Sequence, residues 1–316
     1  MFLHAPSPRR ISTDVDIMTP VKGDELKSAL EGLGRGDPFL TFDEQDRGFR
    51  GLPNRRHFRY TYQSASMNGV AAPLLLDVVE DDFSTFSLVE KPVGQPWFQA
   101  SRAANVKVQT LEFLLGDKLA AFAPRTTGVP YRRRRQDGTE VEGDLLQIAK
   151  QFFDVAALFD LSDSPLDCRS AWLEHGRKEA AYREMEFLPE AVLRDTFQAC
   201  LAITMRNFPP NRIHPDSAVL WQGLRSLENH VVEGVLSHQT IFEMAGKVAW
   251  LVVSLHTQSA AIVKPLPPDD IQQLRGLKIP APLAFLNPIG GSSPLGHFYW
   301  SEVAKIVPPD WIKAGS

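Results

Sequence analysis

Two cysteines, Cys168 and Cys200, are all that this chain of 316 residues contains. So few exclude a disulfide framework and any CxxC metal site, and they fit a reducing, cytoplasmic compartment. Long apolar runs are missing too. The stretch from Val248 to Leu255 falls well short of the ~20 residues that span a bilayer. Met1 to Pro6 is too short an apolar run ahead of Arg9 and Arg10 to act as a signal peptide. Positive charge is not in excess: the formal net charge of −4 argues against a generally basic, nucleic-acid-coating surface and leaves room only for a local basic patch. There is no internal repeat and no low-complexity segment. His175, His214, His230, His238 and His256 are too scattered for a metal-ligand spacing. What remains is an ordinary soluble composition, in a chain long enough for one large core or two domains.

Within it, Arg10-Ile11-Ser12-Thr13-Asp14-Val15-Asp16-Ile17-Met18 stands out. Val15 and Ile17 alternate with Asp14, Asp16 and Met18, the period-2 pattern of a half-buried strand. Two carboxylates at i and i+2 share a face, with Cα atoms roughly 6.5–7 Å apart on strand geometry. Without a cation such like charges repel; a hard cation such as Mg²⁺, which takes oxygen ligands, would draw them together. An acidic surface turn would show the same spacing. Further along, Phe58, Tyr60 and Tyr62 alternate with His57, Arg59 and Thr61, which reads as a strand, and Asn68-Gly69 is a hairpin signal. The returning strand, Pro73 to Val79, carries Asp77 on the face of Leu75 and Val79. A lone carboxylate there needs a cation, a partner or an exposed strand end.

Asp24 to Leu33 reads as a helix ended by Gly34, and Arg35 to Asn54 as a surface connection. After a short strand at Val106 to Val108, Thr110 caps a helix running to Ala123. Its stripe of Leu111, Leu114, Leu115, Leu119 and Phe122 has Lys118 in the middle. Such a lysine needs an acid or an anionic ligand, or must snorkel past its neighbours. Arg125 to Gly143 reads as a polar loop whose run Arg132 to Arg135 is either solvated or phosphate-binding. Leu145 to Leu161 is a helix on which periodicity puts Asp154 opposite the buried face, as an exposed pair with Lys150. From Ser170 onward the pattern is helical: Ser170 to Tyr182, Pro189 to Arg206, Pro215 to Gly234, Ser237 to Ser259 and a short helix near Asp269 to Arg275. Gly290-Gly291-Ser292-Ser293 reads as a plain turn.

Four pieces fall in a recognisable order: Arg10-Ile-Ser-Thr-Asp14-Val-Asp16, Leu74-Leu-Leu-Asp77-Val-Val, Leu114-Leu-Gly-Asp-Lys118-Leu-Ala-Ala and Lys150-Gln-Phe-Phe-Asp154-Val. Together, over Arg10 to Leu161, they resemble the AbiEii/AbiGii family of nucleotidyltransferase toxins, a branch of the DNA polymerase β-like nucleotidyltransferases. The most specific pieces are Lys118, with the following Ala-Pro-Arg-Thr-Thr-Gly-Val-Pro-Tyr131, and the Asp154 helix at its distance.

The resemblance implies an α+β protein: a nucleotidyltransferase-type mixed sheet with flanking helices in residues 1–109, N-terminally incomplete, and a mainly helical domain in 110–316 carrying Lys118 and Asp154. It implies that Asp14, Asp16 and Asp77 hold catalytic Mg²⁺, that Ser12 and Lys118 bind the nucleotide, and that Asp154 is the last motif aspartate. The activity implied is transfer of a nucleotide from a nucleoside triphosphate to an acceptor, RNA such as the tRNA 3′ end, in a toxin–antitoxin or phage-defence system. A nearby-encoded antitoxin need not touch the chain. In that family a Gly-Gly-Ser/Thr or Gly-Ser motif precedes the Asp-x-Asp strand. Only nine residues precede Arg10 and none supplies it, so the expectation is either a start upstream of Met1 or an altered relative. The alternative function is a non-catalytic binding protein, and a third is an enzyme that nucleotidylates a small molecule or a protein.

Overall fold

The structure is a computed structural model that describes residues 3–12, 14–34, 36–45, 54–65, 68–94, 103–134, 138–209, 212–232, 234, 236–258, 274 and 276–312. It is α+β, with a four-stranded mixed sheet near the N-terminus and many helices in the C-terminal half. Residue contacts divide it into two units: Ile11–Phe86, and Met1–Arg10 together with Ser87–Ser316. The sequence places a single boundary at 109/110, whereas the contacts place theirs at 10/11 and 86/87.

The smaller unit contains β1 (Asp14–Thr19), α1 (Gly23–Leu33), β2 (Phe39–Gln45), β3 (Asn54–Gln63) and β4 (Ala71–Glu80). The sheet order is β1-β4-β3-β2, with β1 parallel to β4 and the other pairs antiparallel. One face is apolar: Phe58, Tyr60, Leu76 and Val78 are buried there with Leu26 and Leu30 of α1. Each such burial contributes roughly 1.5–3 kcal/mol. Gly34 is required where α1 ends, because a Cβ there would lie 2.9 Å from the Phe42 Cβ and 3.0 Å from the Tyr60 ring. Tyr60 also donates its hydroxyl proton to the Leu30 carbonyl at 2.9 Å, tying the helix to the sheet. Since side chains alternate along a strand, the opposite face receives Asp14, Asp16, His57, Arg59 and Asp77.

The expected surface connection from Arg35 to Asn54 is corrected by β2. Phe39 and Phe42 pack into the apolar face, and the charges of the segment form cross-strand pairs, Asp43 with Arg59 and Glu44 with Arg56. Its polar composition hides a strand whose acids have partners on β3.

The larger unit contains two hairpins, β5 (Leu88–Pro92) with β6 (Asn105–Gln109) and β7 (Arg132–Arg134) with β8 (Glu140–Glu142). Its helices are α2 (Leu111–Ala121), α3 (Leu145–Leu161), α4 (Arg169–Tyr182), α5 (Pro189–Thr204), α6 (Ser217–Glu228), α7 (His238–Thr257), α8 (Pro294–Ile306) and α9 (Pro309–Ile312). Trp172, Trp250, Trp300 and Trp311 are fully buried in a continuous apolar core. Gly116 lets α4 cross α2 closely, since a Cβ there would sit 2.5 Å from the Trp172 backbone nitrogen. Cys168 and Cys200 are unlinked and buried, and desolvation pushes both thiols up. The plain-turn reading of Gly290–Ser293 is corrected: Gly290 and Gly291 end a 3-10 helix, Ala284–Gly291, and Ser293 caps α8 by accepting from the Gly296 N–H. Most of the expected helix near Asp269–Arg275 lies outside the described residues. Among the described residues, no helix is long and apolar enough to cross a membrane.

Candidate metal centre and the helical motif residues

The parallel β1–β4 register sets Asp14 opposite Leu75 and Asp16 opposite Asp77. Asp14, Asp16 and Asp77 thereby converge, each offering a carboxylate oxygen, with these atoms all within 4.8 Å of one another. Two like unit charges about 4 Å apart repel by ~4 kcal/mol at the effective dielectric near a protein surface. Gathering three is unfavourable unless a positive charge joins them. An all-oxygen, all-carboxylate donor set suits a hard divalent cation. Ser12 donates its hydroxyl proton to Asp14 Oδ1 at 2.8 Å and so orients that carboxylate. His57 of β3 stands opposite Asp77 in the β3–β4 ladder, with its Nδ1 2.8 Å from Asp77 Oδ1.

Lys118 and Asp154 belong to the helical unit, on α2 and α3, which pack together. The Lys118 side chain is 24% exposed, and its ammonium is 3.6 Å from Asp117 Oδ2. Asp117 Oδ1 lies 3.4 Å from His175 Nδ1 on α4. The buried face differs from the expected one: Phe113, Leu115, Gly116, Leu119 and Ala120 are buried within an arc of roughly 160° at 100° per residue, while Leu111, Leu114 and Lys118 lie outside that arc and are only partly buried. The expected place of Lys118 in the middle of the buried stripe is thereby corrected: it is a half-buried side chain on the opposite side of the helix, beside Asp117.

Asp154 requires a correction. It is not an exposed partner of Lys150 but 0% exposed, held by both nitrogens of one edge of the Arg10 guanidinium: Nε to Oδ1 at 2.7 Å and Nη2 to Oδ2 at 2.6 Å. Arg10 is itself only 12% exposed. The same segment is fixed twice more: Arg9 Nη1 lies 3.6 Å from Asp160, and the Arg9 carbonyl accepts from the Val232 N–H. The signal for burial was present in Phe152 to Phe159, which carries no charge except Asp154. A bidentate guanidinium is the usual partner for such a carboxylate.

The motif following Lys118 also has a structural use. Arg125 pairs with Asp216 at 2.9 Å, while its backbone N–H and the Thr126 hydroxyl both donate to Asp195 Oδ2. Thr127 donates to the Ala120 carbonyl. Burial pushes Asp195 up to about 6 despite these bonds. Arg125, Tyr131, Arg132 and Asp216 line an open depression of about 580 Å³. The expected polar loop at Arg132–Arg135 is corrected to a hairpin over its described part. Arg132 and Arg134 face Glu142 and Glu140 across β7 and β8, while Arg135 lies outside the described residues.

A mixed sheet that gathers three carboxylates from two parallel neighbours could hold a hard cation. Residues 1–222 match the family model described as nucleotidyl transferase AbiEii toxin, type IV toxin–antitoxin system, and the chain belongs to that family. No protein with a curated description matches it. Nucleotidyltransferases of this kind typically use a divalent metal, and the family implies a nucleoside triphosphate substrate and an antitoxin partner.

Proposed function

We propose that this chain is a Mg²⁺-dependent nucleotidyltransferase toxin that moves a nucleotide from a nucleoside triphosphate to an RNA acceptor. The convergence of Asp14, Asp16 and Asp77 carries the reading. These three would hold the metal, which when bound polarises the α-phosphate and neutralises charge on the leaving pyrophosphate. Ser12 acts through Asp14, whose carboxylate it orients. Lys118 supplies a compact positive charge suited to the triphosphate. Asp154 is a positioning residue: it holds Arg10, the last residue before the stretch that carries Ser12, Asp14 and Asp16. Support for the RNA acceptor comes from the family resemblance.

The test incubates the purified chain with each α-³²P-labelled nucleoside triphosphate, total RNA and Mg²⁺. Label should enter RNase-sensitive product and vanish in the Asp14→Ala, Asp16→Ala double variant. Transfer that survives this pair of changes would overturn the site; protease-sensitive product would replace RNA by a protein acceptor.

A further inference from the structure

The register of the sheet places one more functional group beside the carboxylates. Asp16 faces Asp77 across β1–β4, Asp77 faces His57 across β4–β3, and His57 faces Gln45 across β3–β2. Residues directly opposite one another project from the same face of a sheet. A polar row thus crosses the whole sheet, with the cluster at its β1 end. The His57 side chain is 16% exposed against 27% for Asp77, so the imidazole is the more enclosed of the two. Its Nδ1 lies 2.8 Å from Asp77 Oδ1, and an ionised carboxylate only accepts, so Nδ1 is the donor.

We propose that His57 is a positioning residue for the metal centre: its Nδ1–H fixes the Asp77 carboxylate toward Asp14 and Asp16. The inference rests on the reading of these three acids as a divalent-cation site. The terminal torsion of an aspartate is broad and weakly restrained. With two other carboxylates within 4.8 Å, repulsion favours rotation of Asp77 away from them. A donor on the neighbouring strand opposes that rotation, and its backbone is fixed by the same ladder that carries Asp77. Metal-ligating carboxylates depend on such outer partners, and loss of one typically costs roughly 10–100-fold in metal affinity. His57 is not there for the apolar core, which on this strand is built by its neighbours Phe58 and Tyr60.

The test uses the full chain and Mn²⁺ alone as probe, with unbound Mn²⁺ counted by electron paramagnetic resonance and folding followed by circular dichroism melts. His57→Ala should weaken Mn²⁺ binding by about 10–100-fold. His57→Asn, whose amide nitrogen takes the place of Nδ1, should recover most of the loss. His57→Gln, whose amide reaches toward the Nε2 position, should resemble alanine. In the transfer assay, raising Mg²⁺ should restore His57→Ala, which it would not do for a residue that contacts nucleotide. Wild-type affinity in His57→Ala would overturn the proposal. So would an asparagine variant that melts like the wild type yet binds Mn²⁺ as weakly as alanine or glutamine. If His57→Ala does not fold, the asparagine and glutamine variants decide alone. Failure of the wild type itself to bind Mn²⁺, matched by Asp77→Ala, would strike the metal reading, an outcome distinct from an unaltered His57 variant.

Discussion

The buried acids of the helical unit and the clustered aspartates of the sheet unit are kept in opposite ways. In the helical unit each buried carboxylate meets a partner that compensates it: Asp154 meets the Arg10 guanidinium, Asp216 meets Arg125, and Asp195 accepts a backbone N–H and a hydroxyl. In the sheet unit Asp14, Asp16 and Asp77 are turned toward one another. A guanidinium–carboxylate pair lowers the energy of the folded chain relative to leaving either group alone in the interior. Three converging carboxylates raise it. Stability therefore accounts for the first group, while the second, with Ser12 donating to Asp14 and His57 against Asp77, is a set of oxygens that could hold a cation.

The largest effect should come from the sheet. Asp14→Asn with Asp16→Asn keeps the side-chain shapes and removes two charges. Nucleotide transfer should fall on the order of 10³-fold or more, because the metal's several kcal/mol of transition-state stabilisation is lost. The melting temperature without metal should hold or rise as repulsion is relieved. Mg²⁺ should raise the melting temperature of the wild type and not that of the variant. A variant that melts lower and still transfers label would make these acids structural and erase the contrast between the units.

Asp154→Ala should have the opposite signature. Leaving Arg10 enclosed without its carboxylate should destabilise the chain by about 3–5 kcal/mol in denaturant unfolding. The double change Arg10→Met, Asp154→Leu should recover part of that loss, as buried ion pairs often exchange for apolar side chains at little cost. Wild-type stability in Asp154→Ala would show that the pair is not an anchor, and Asp154 would then need a direct role in the reaction.

Asp195 sharpens the comparison through pH. Its folded pKa of about 6 lies above the ordinary value of 3.8, so between those values the native state binds more protons than the unfolded one. Its contribution therefore falls as pH rises through that window. Asp195→Asn keeps an acceptor for Arg125 and Thr126 and removes the ionisation. The variant should match the wild type near pH 4 and exceed it by about 2–3 kcal/mol above pH 7, read from urea unfolding at both ends. Equal stability at both pH values would mean that the carboxylate is fully compensated where it sits.

How far this contrast was readable from sequence depends on what each residue's neighbours encode. The Asp14–Asp16 strand and the helix from Leu145 to Leu161 follow from local periodicity, the α+β arrangement follows from the resemblance, and the structure has all three. The role of His57 was not readable. A two-residue turn at Asn68-Gly69 would set Asp77 opposite Tyr60, whereas the connection runs from Ser64 to Val70 and sets it opposite His57. Pairing across strands depends on the width of that connection, which local composition does not fix. Asp154 was misjudged because angular periodicity assumes one buried face, and α3 is enclosed on all sides through Phe152–Phe159. Arg10 lies 144 residues away from it, beyond any local pattern.

The smallest effect should come from the arginines that drew attention in the sequence. Their exposed hairpin faces Arg132 and Arg134 toward Glu142 and Glu140, and Arg132 has an ion pair with Glu140 at 3.3 Å. Exposed pairs of this kind add little to stability, so replacing Arg132, Arg133 and Arg134 by serine should leave the melting temperature where it is. The nearby glutamates also offset part of the positive potential an RNA would meet. The triple variant should bind RNA less than about tenfold more weakly, with a shallow change in salt dependence. Three phosphate contacts would instead remove roughly two from the slope of log K against log salt on a single strand. A drop of that size would make the hairpin part of the RNA interface and add a third way of keeping charge in this chain: arginines paired at rest and exchanged onto phosphate when RNA arrives.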